Sequence, residues 1–499
     1  MADVDSAFTD LPLQRLADAA LQRARDFGAS HADFRLERLR SQVLALRDAT
    51  LQGAHDGEQL GMCVRVLVDG TWGFASTFDL STNAAVRTAE EAVRVAQVSR
   101  PVSPERIALA PEPTYRRASW VSAYDIDPLS VPLEDKVELL AAWSRRLAEA
   151  PAVAHVSAQL EQYLENKFYA DLSGTSTTQQ RVRLHPVLEV HGERAGRFDA
   201  MRTIAPPAGR GWEYLVDGGY DWAAELDRLP DQLAEKLAAP GVEPGRYDLV
   251  VDPTNLWLTI HESIGHATEL DRALGYEANY AGTTFATYDR LGTLEYGSSI
   301  MHVTGDRTVE HGLATIGYDD DGVAAQSWDI IRDGLLVGYQ LDRSMAALKG
   351  YERSNGCSFA DSPAHVPIQR MANVSLQPDP DGPETVALIA GVERGLYVVG
   401  DKSWSIDMQR YNFQFTGQRF YSIENGEITG QVRDAAYQAT TTDFWRSMTA
   451  VGGPQTWRLG GALNCGKAQP GQVASVSHGA PSALFRDVQI LNTQTESGR

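Results

Sequence analysis

Between residues 13 and 27 the apolar side chains recur with a helical period: Leu13, Leu16, Ala17, Ala20 and Leu21 share one face. From 31 to 50 the period changes to two, with Phe34 and Leu36, then Val43 and Ala45, which predicts strands. Cys63 to Val68 and Trp72 to Ser76 flank Asp69-Gly70 and predict a hairpin. An alanine-rich helix is expected over 84–98. Pro101, Pro104, Pro111 and Pro113 mark 99–118 as a crossing loop. A further helix spans 134–150 after Pro132. Strands follow at 153–163, 166–172 and 178–190, and the helix Trp222 to Leu237 stops before Pro240-Gly241.

Beyond that stop the pattern is strand-rich: 247–252, 299–304, 312–317, 328–333 with 335–340, 385–391, 396–404, 411–423 and 428–433. Asp333-Gly334 and Asn425-Gly426 supply hairpin turns. Trp404, Tyr411, Phe413, Phe415, Phe420 and Tyr421 stand at strand spacing and read as a β core. The predicted class is α+β: an N-terminal α/β domain with a mixed sheet over 1–240, and a C-terminal β-rich domain over 241–499 that carries a buried helix near 254–272.

Composition narrows the function. A chain of 499 residues can bury large cores, and 43% hydrophobic with 22% charged residues is ordinary for a globular protein. The formal net charge of −21 argues against nucleic acid or an anionic membrane as partner. Three scattered cysteines (Cys63, Cys357, Cys465) exclude a disulfide framework and suit a reducing compartment. The acidic N-terminus lacks a secretory pattern, and no apolar run has membrane-spanning length, so a cytoplasmic location is expected. No phosphate loop, dinucleotide fingerprint or serine nucleophile elbow is present.

The chemistry concentrates in His261-Glu262-Ser263-Ile264-Gly265-His266. Imidazoles are common zinc ligands, and a neighbouring carboxylate can take a proton from water held at such a metal. The spacing has one residue more than the H-E-x-x-H of zinc proteases. On a regular α-helix, positions five apart diverge by about 140°, so His261 and His266 could not serve one ion. A π-bulge absorbs one residue and restores a common face, and Gly265 stands where backbone distortion is needed. Zinc also wants a third protein ligand. Cys465, set among glycines and near Lys467, is one candidate; Glu269, three residues after His266, is another. Glu269 or Asp271 could instead orient an imidazole. His478, in His478-Gly479-Ala480-Pro481, reads either as a cleft residue that hydrogen-bonds substrate or as a surface turn. Cys63 reads as a core thiol, and Cys357 has no ligand partner in its neighbourhood.

Taken with Asn464-Cys465-Gly466-Lys467 and Val476 to Pro481, the stretch His261 to Asp271 resembles the TldD/PmbA family of H-E-x-x-x-H metallopeptidases. Gly61 to Leu67, Gly70 to Thr77, Asp320-Asp321-Gly322, Asp333 to Leu336 and Arg370 to Asn373 extend the resemblance over nearly the whole chain. The resemblance implies a metal-bearing TldD-type subunit, with zinc on His261, His266 and Cys465 and Glu262 as general base. It implies pairing with a metal-free PmbA (TldE)-like subunit, or with a second copy, and hydrolysis of peptide or amide bonds in unfolded peptides. The segments 272–280 and 352–357 depart from the family pattern and leave open a small amide-bearing metabolite as substrate. A third possibility is a non-catalytic scaffold subunit whose metal is structural; the glutamate beside the histidines argues against it, since a structural site needs no base.

Overall fold

The computed structural model describes residues 3–216 and 218–496. Among them, no helix is long and apolar enough to cross a membrane. The first half builds one mixed sheet from seven strands: β1 (His31–Arg47), β2 (Thr50–Val68), β3 (Thr71–Thr77), β4 (Ala118–Val121), β5 (His155–Asp171), β6 (Ser176–Arg194) and β7 (Arg197–Arg202). All pairings in it are antiparallel except β4 on β6. Even-numbered positions of β1 (Ala32, Phe34, Leu36, Leu44, Leu46) are buried under helices α1 (Leu13–Asp26), α2 (Thr82–Ser99), α3 (Leu133–Ala148) and α4 (Trp222–Ala238).

The opposite face is buried and ionic. Asp33, Arg35, Glu37, Arg65, Glu165, Lys167, Arg181 and Arg183 lie there almost without solvent contact. Arg35 and Lys167 both pair with Asp320 at 3.0 Å, and Arg65 pairs with Asp321 at 2.6 Å. Asp320 and Asp321 belong to the second half of the chain, so this seam joins the two halves by charge. It also explains one correction: the expected strands 153–163 and 166–172 are a single strand, His155–Asp171, because its polar residues 165–167 are buried ladder positions rather than a break.

The second half contains β8 (Gly245–Val251), β9 (Val303–Asp306), β10 (Ser327–Arg332), β11 (Leu335–Leu336), β12 (Asn373–Leu376), β13 (Arg394–Ile406), β14 (Asn412–Glu424), β15 (Glu427–Val432), β16 (Ala435–Thr440), β17 (Met448–Val451), β18 (Arg458–Lys467), β19 (Gln472–Ala480) and β20 (Ala483–Asn492). Strands β13, β8, β20, β16 and β14 follow one another in hydrogen-bonded order, and β14 pairs back onto β13, closing a barrel-like sheet. Phe413, Phe415, Phe420, Tyr437 and Phe485 are buried in the core of this half; Trp404, expected among them, is instead 52% exposed. Two expected strands are absent. Residues 385–390 form a helix, with Leu388 and Ile389 inward and Val386 outward. Residues 312–317 form turns whose backbone N–H groups are taken by the side chains of Asn373 and Gln179. The expected strand 335–340 shortens to Leu335–Leu336.

Helix α5 (Pro253–Ile260) packs against β13, β18 and β19. Asp252 caps it, accepting from the Thr254 N–H at 3.0 Å, and Pro253 starts it. Asn255 ties it to the barrel by donating to the Gly400 and Thr416 carbonyls, each at 3.0 Å. The next five residues, His261–Gly265, form a π-helical turn, with the His266 N–H reaching back to the His261 carbonyl. Such a turn strains the carbonyl ladder, and side chains satisfy it. Tyr296 donates to the Ser263 carbonyl, Thr268 to that of Ile264 at 2.8 Å, and Gln340 to that of Gly265 at 2.7 Å. Gln340 also accepts from the Ala372 N–H at 2.8 Å. Gln340→Ala is therefore expected to leave a buried donor and acceptor short of partners and to cost about 1–3 kcal/mol, read as a lowered urea midpoint at unchanged slope.

Candidate metal centre

The π turn absorbs the extra residue of the motif and places both imidazoles on one side. The His261 and His266 rings stand 4.7 Å apart between centroids, inclined at 75°. One donor atom from each of His261, His266 and Cys465 lies within 4.8 Å of the others, and this group could hold a metal ion. Cys465 reaches the helix from β18. Its glycines serve close packing: a Cβ at Gly460 would lie 2.2 Å from the Trp257 ring. Gly265 has an ordinary helical φ of −51°. It is glycine because a Cβ there would meet the Met371 sulfur at 2.6 Å, not because the π turn demands an unusual backbone.

Burial holds all three histidines of the site below the ordinary imidazole range, so they are neutral near pH 7. Each then has one N–H and one lone pair. His266 Nδ1 lies 3.0 Å from Glu269 Oε2, so Nδ1 carries the proton and Nε2 faces Cys465 Sγ at 3.5 Å. Glu269 thus sits behind the His266 ring rather than beside the other donors. Burial raises the Cys465 thiol, but His266 and Arg370 together outweigh it and hold it below its ordinary value. Arg370 also donates to the Cys465 carbonyl at 2.7 Å.

Lys467, two residues beyond Cys465, is buried against three carboxylates: Glu269 at 3.0 Å, Asp271 at 2.8 Å and Glu277 at 3.1 Å. Glu277 also pairs with Arg272 at 3.4 Å. Asp271 accepts from Lys467, not from an imidazole. His478 is neither on a surface turn nor at a cleft rim; it is fully buried in β19, with Nε2 2.7 Å from His261 Nδ1. Cys63 and Cys357 lie elsewhere, buried, and burial pushes their thiols up to about 11 and about 12.

Glu262 has a partner that the sequence did not reveal. Arg410, at the β13–β14 turn, hydrogen-bonds its carboxylate. Arg410 has φ +61° in a turn held by Asp407, which accepts from the N–H groups of Gln409, Tyr411 and Asn412. Only the turn chemistry of Asp407 hinted at a fixed residue here, and nothing in the sequence linked residues 262 and 410. His261, Glu262 and His266 keep 5%, 5% and 7% of their surface, so the site is narrow but not sealed.

Comparison with known proteins identifies relatives of this chain. The profile of the PmbA/TldA metallopeptidase C-terminal domain matches residues 244–492, and that of PmbA/TldA metallopeptidase domain 1 matches residues 32–96. A metalloprotease TldD homolog of Haemophilus influenzae is 26% identical over 471 residues, 93% of each chain. A zinc metalloprotease TldD homolog of Saccharolobus solfataricus is 22% identical over 482 residues, 94% of this chain and 98% of its own. Among solved structures, TldE of Thermococcus kodakarensis superposes with a TM-score of 0.72 at 15% identity, covering 95% of this chain and 99% of its own. A candidate modulator of DNA gyrase from Thermotoga maritima superposes at 0.76 and 16% identity, covering 96% and 100%. With both family profiles matched in order and the HExxxH donors converging with Cys465, the chain belongs to the TldD/PmbA family of metallopeptidases.

Proposed function

We propose that this chain is a zinc-dependent hydrolase of peptide or amide bonds, with His261, His266 and Cys465 as ligands and Glu262 as general base. The observation that carries the reading is the convergence of two neutral imidazoles and a thiol of lowered pKa beside the Glu262 carboxylate, which is held by Arg410. Two nitrogens and one sulfur suit zinc, and three protein ligands leave a position for water or substrate. The relative in Saccharolobus solfataricus is named a zinc metalloprotease. Zinc, when bound, supplies a Lewis acid for the scissile carbonyl. Glu262 takes the proton of the attacking water and returns it to the leaving amine. Arg410 orients the Glu262 carboxylate by a charge-assisted hydrogen bond.

The narrow opening favours an extended, flexible peptide over a folded protein. We infer further that the chain works as a dimer with a related metal-free subunit; its likeness to a TldE fold supports this. Three free, buried cysteines suit a cytoplasmic location. The test is elemental analysis and peptide hydrolysis side by side. Wild type is expected to hold one zinc per chain, and Cys465→Ala to lose both metal and activity. Unchanged zinc and turnover in Cys465→Ala would overturn the ligand set.

A further inference from the structure

We propose that His478 is a positioning residue: through a two-bond relay from a backbone carbonyl, it fixes the tautomer and orientation of His261 so that His261 Nε2 presents its lone pair to the metal. The inference rests on the metal-site reading above and goes beyond it, since it assigns the residue that aims one of the ligands.

The proton positions follow from which atoms can donate. The Val374 carbonyl oxygen lies 2.8 Å from His478 Nδ1 and can only accept, so Nδ1 carries the hydrogen. In a neutral ring that leaves His478 Nε2 as an acceptor. His261 Nδ1, 2.7 Å away, must then be the donor. His261 Nε2 is left without a hydrogen, in the form a metal ligand requires. Donation of the second ring N–H to a fixed acceptor is the usual means of setting a ligand imidazole. On the other ligand that acceptor is the carboxylate of Glu269. On His261 it is a neutral imidazole.

The relay is held rigidly. His478 has no solvent exposure, and β19 fixes its backbone. Its ring stacks on Trp257, inclined by 9° with centroids 6.3 Å apart, and Trp257 lies one helical turn before His261. Gly265 closes the remaining side; a Cβ there would stand 3.5 Å from His478 Cε1. Val374 lies in β12, so β12, β19 and the helix are registered to one another by two hydrogen bonds through one side chain. The two rings are therefore held by unlike acceptors: His266 Nδ1 faces a carboxylate, and His261 Nδ1 faces a neutral imidazole.

The experiment uses the whole 499-residue chain, stripped of metal and titrated with Zn²⁺ against a competing chelator, and in parallel with Co²⁺ followed by its visible absorption. His478→Ala and His478→Leu remove the acceptor, the second while keeping volume. Both are expected to bind zinc about 10–100-fold more weakly and to change the cobalt spectrum. His478→Gln, whose amide can both accept from His261 and donate to Val374, is expected to recover most of the affinity and the wild-type spectrum. Affinity and spectrum unchanged in His478→Leu would overturn the relay. So would a loss in His478→Gln as large as in His478→Leu, since that would assign His478 to packing alone. Absence of stoichiometric zinc from the wild-type chain would overturn the metal reading together with this one, whereas the other two outcomes strike the relay only.

Discussion

A chain carrying Glu262→Gln is expected to retain its metal and to hydrolyse peptides about 10²–10⁴-fold more slowly. The glutamine amide has nearly the shape of the carboxylate, so the helix and the ligand positions stay in place. It cannot accept the water's proton, and that is the step being removed. The hydrogen bond from Arg410 can persist to the amide oxygen, which keeps the turn at residues 407–410 docked. Zinc content by elemental analysis and steady-state kinetics on an unstructured peptide, measured on the same preparation, check this. Near-normal turnover by metal-loaded Glu262→Gln protein would require another base.

The second large effect is expected on stability. Lys467→Met removes the one ammonium that faces Glu269 and Glu277, both buried, and Asp271, which is partly buried. Removing one partner of a buried ion pair costs about 3–5 kcal/mol; Glu277 keeps Arg272, but Glu269 and Asp271 lose their cation. The loss should depend on pH in a definite direction. Burial, reinforced by Glu269 and Glu277 and opposed by Lys467, pushes Asp271 up to about 7. A carboxyl with a raised folded-state pKa costs stability as pH climbs from its unfolded value toward its folded one, and no further beyond. Without Lys467 the folded value rises again, so the penalty keeps growing above pH 7 in the variant after it has levelled off in wild type. Urea unfolding at pH 6 and pH 8 should therefore show a gap that widens at the higher pH. A gap independent of pH would mean that the three carboxylates are not sharing the lysine.

The elements whose periodicity is set by apolar residues were legible in the sequence: α1, α2, the β2–β3 hairpin and the helix with its π turn. Elements set by polar burial were not. Positions 165–167 of β5 are Glu, Asn and Lys, which read as an interruption until the ionic seam is seen. The run 386–389 is apolar but short, and periodicity alone does not separate a buried strand from a helix at that length. Within the candidate metal centre, the ligand candidates announced themselves by residue type and spacing. Arg410 and Gln340 did not, because each acts on the helix from a distant loop and resembles any surface polar residue in the sequence. His478 stood out as a residue but not in its place, because its partners are a distant imidazole and a backbone carbonyl that leave no mark in the residue pattern.

The ionic seam between the halves bears on how the molecule comes together. A sheet face lined with leucine and waiting for its cover would attract any other oily surface, including its own kind. The waiting face here is lined with Arg35, Arg65, Lys167, Asp33, Glu37 and Glu165, and water clothes it until Asp320 and Asp321 arrive. The first half can therefore remain alone in solution during synthesis without a sticky flank. The docking that follows is selective, since a misplaced second half would bury charges without counterions. Solubility before assembly and fidelity during it come from the same side chains.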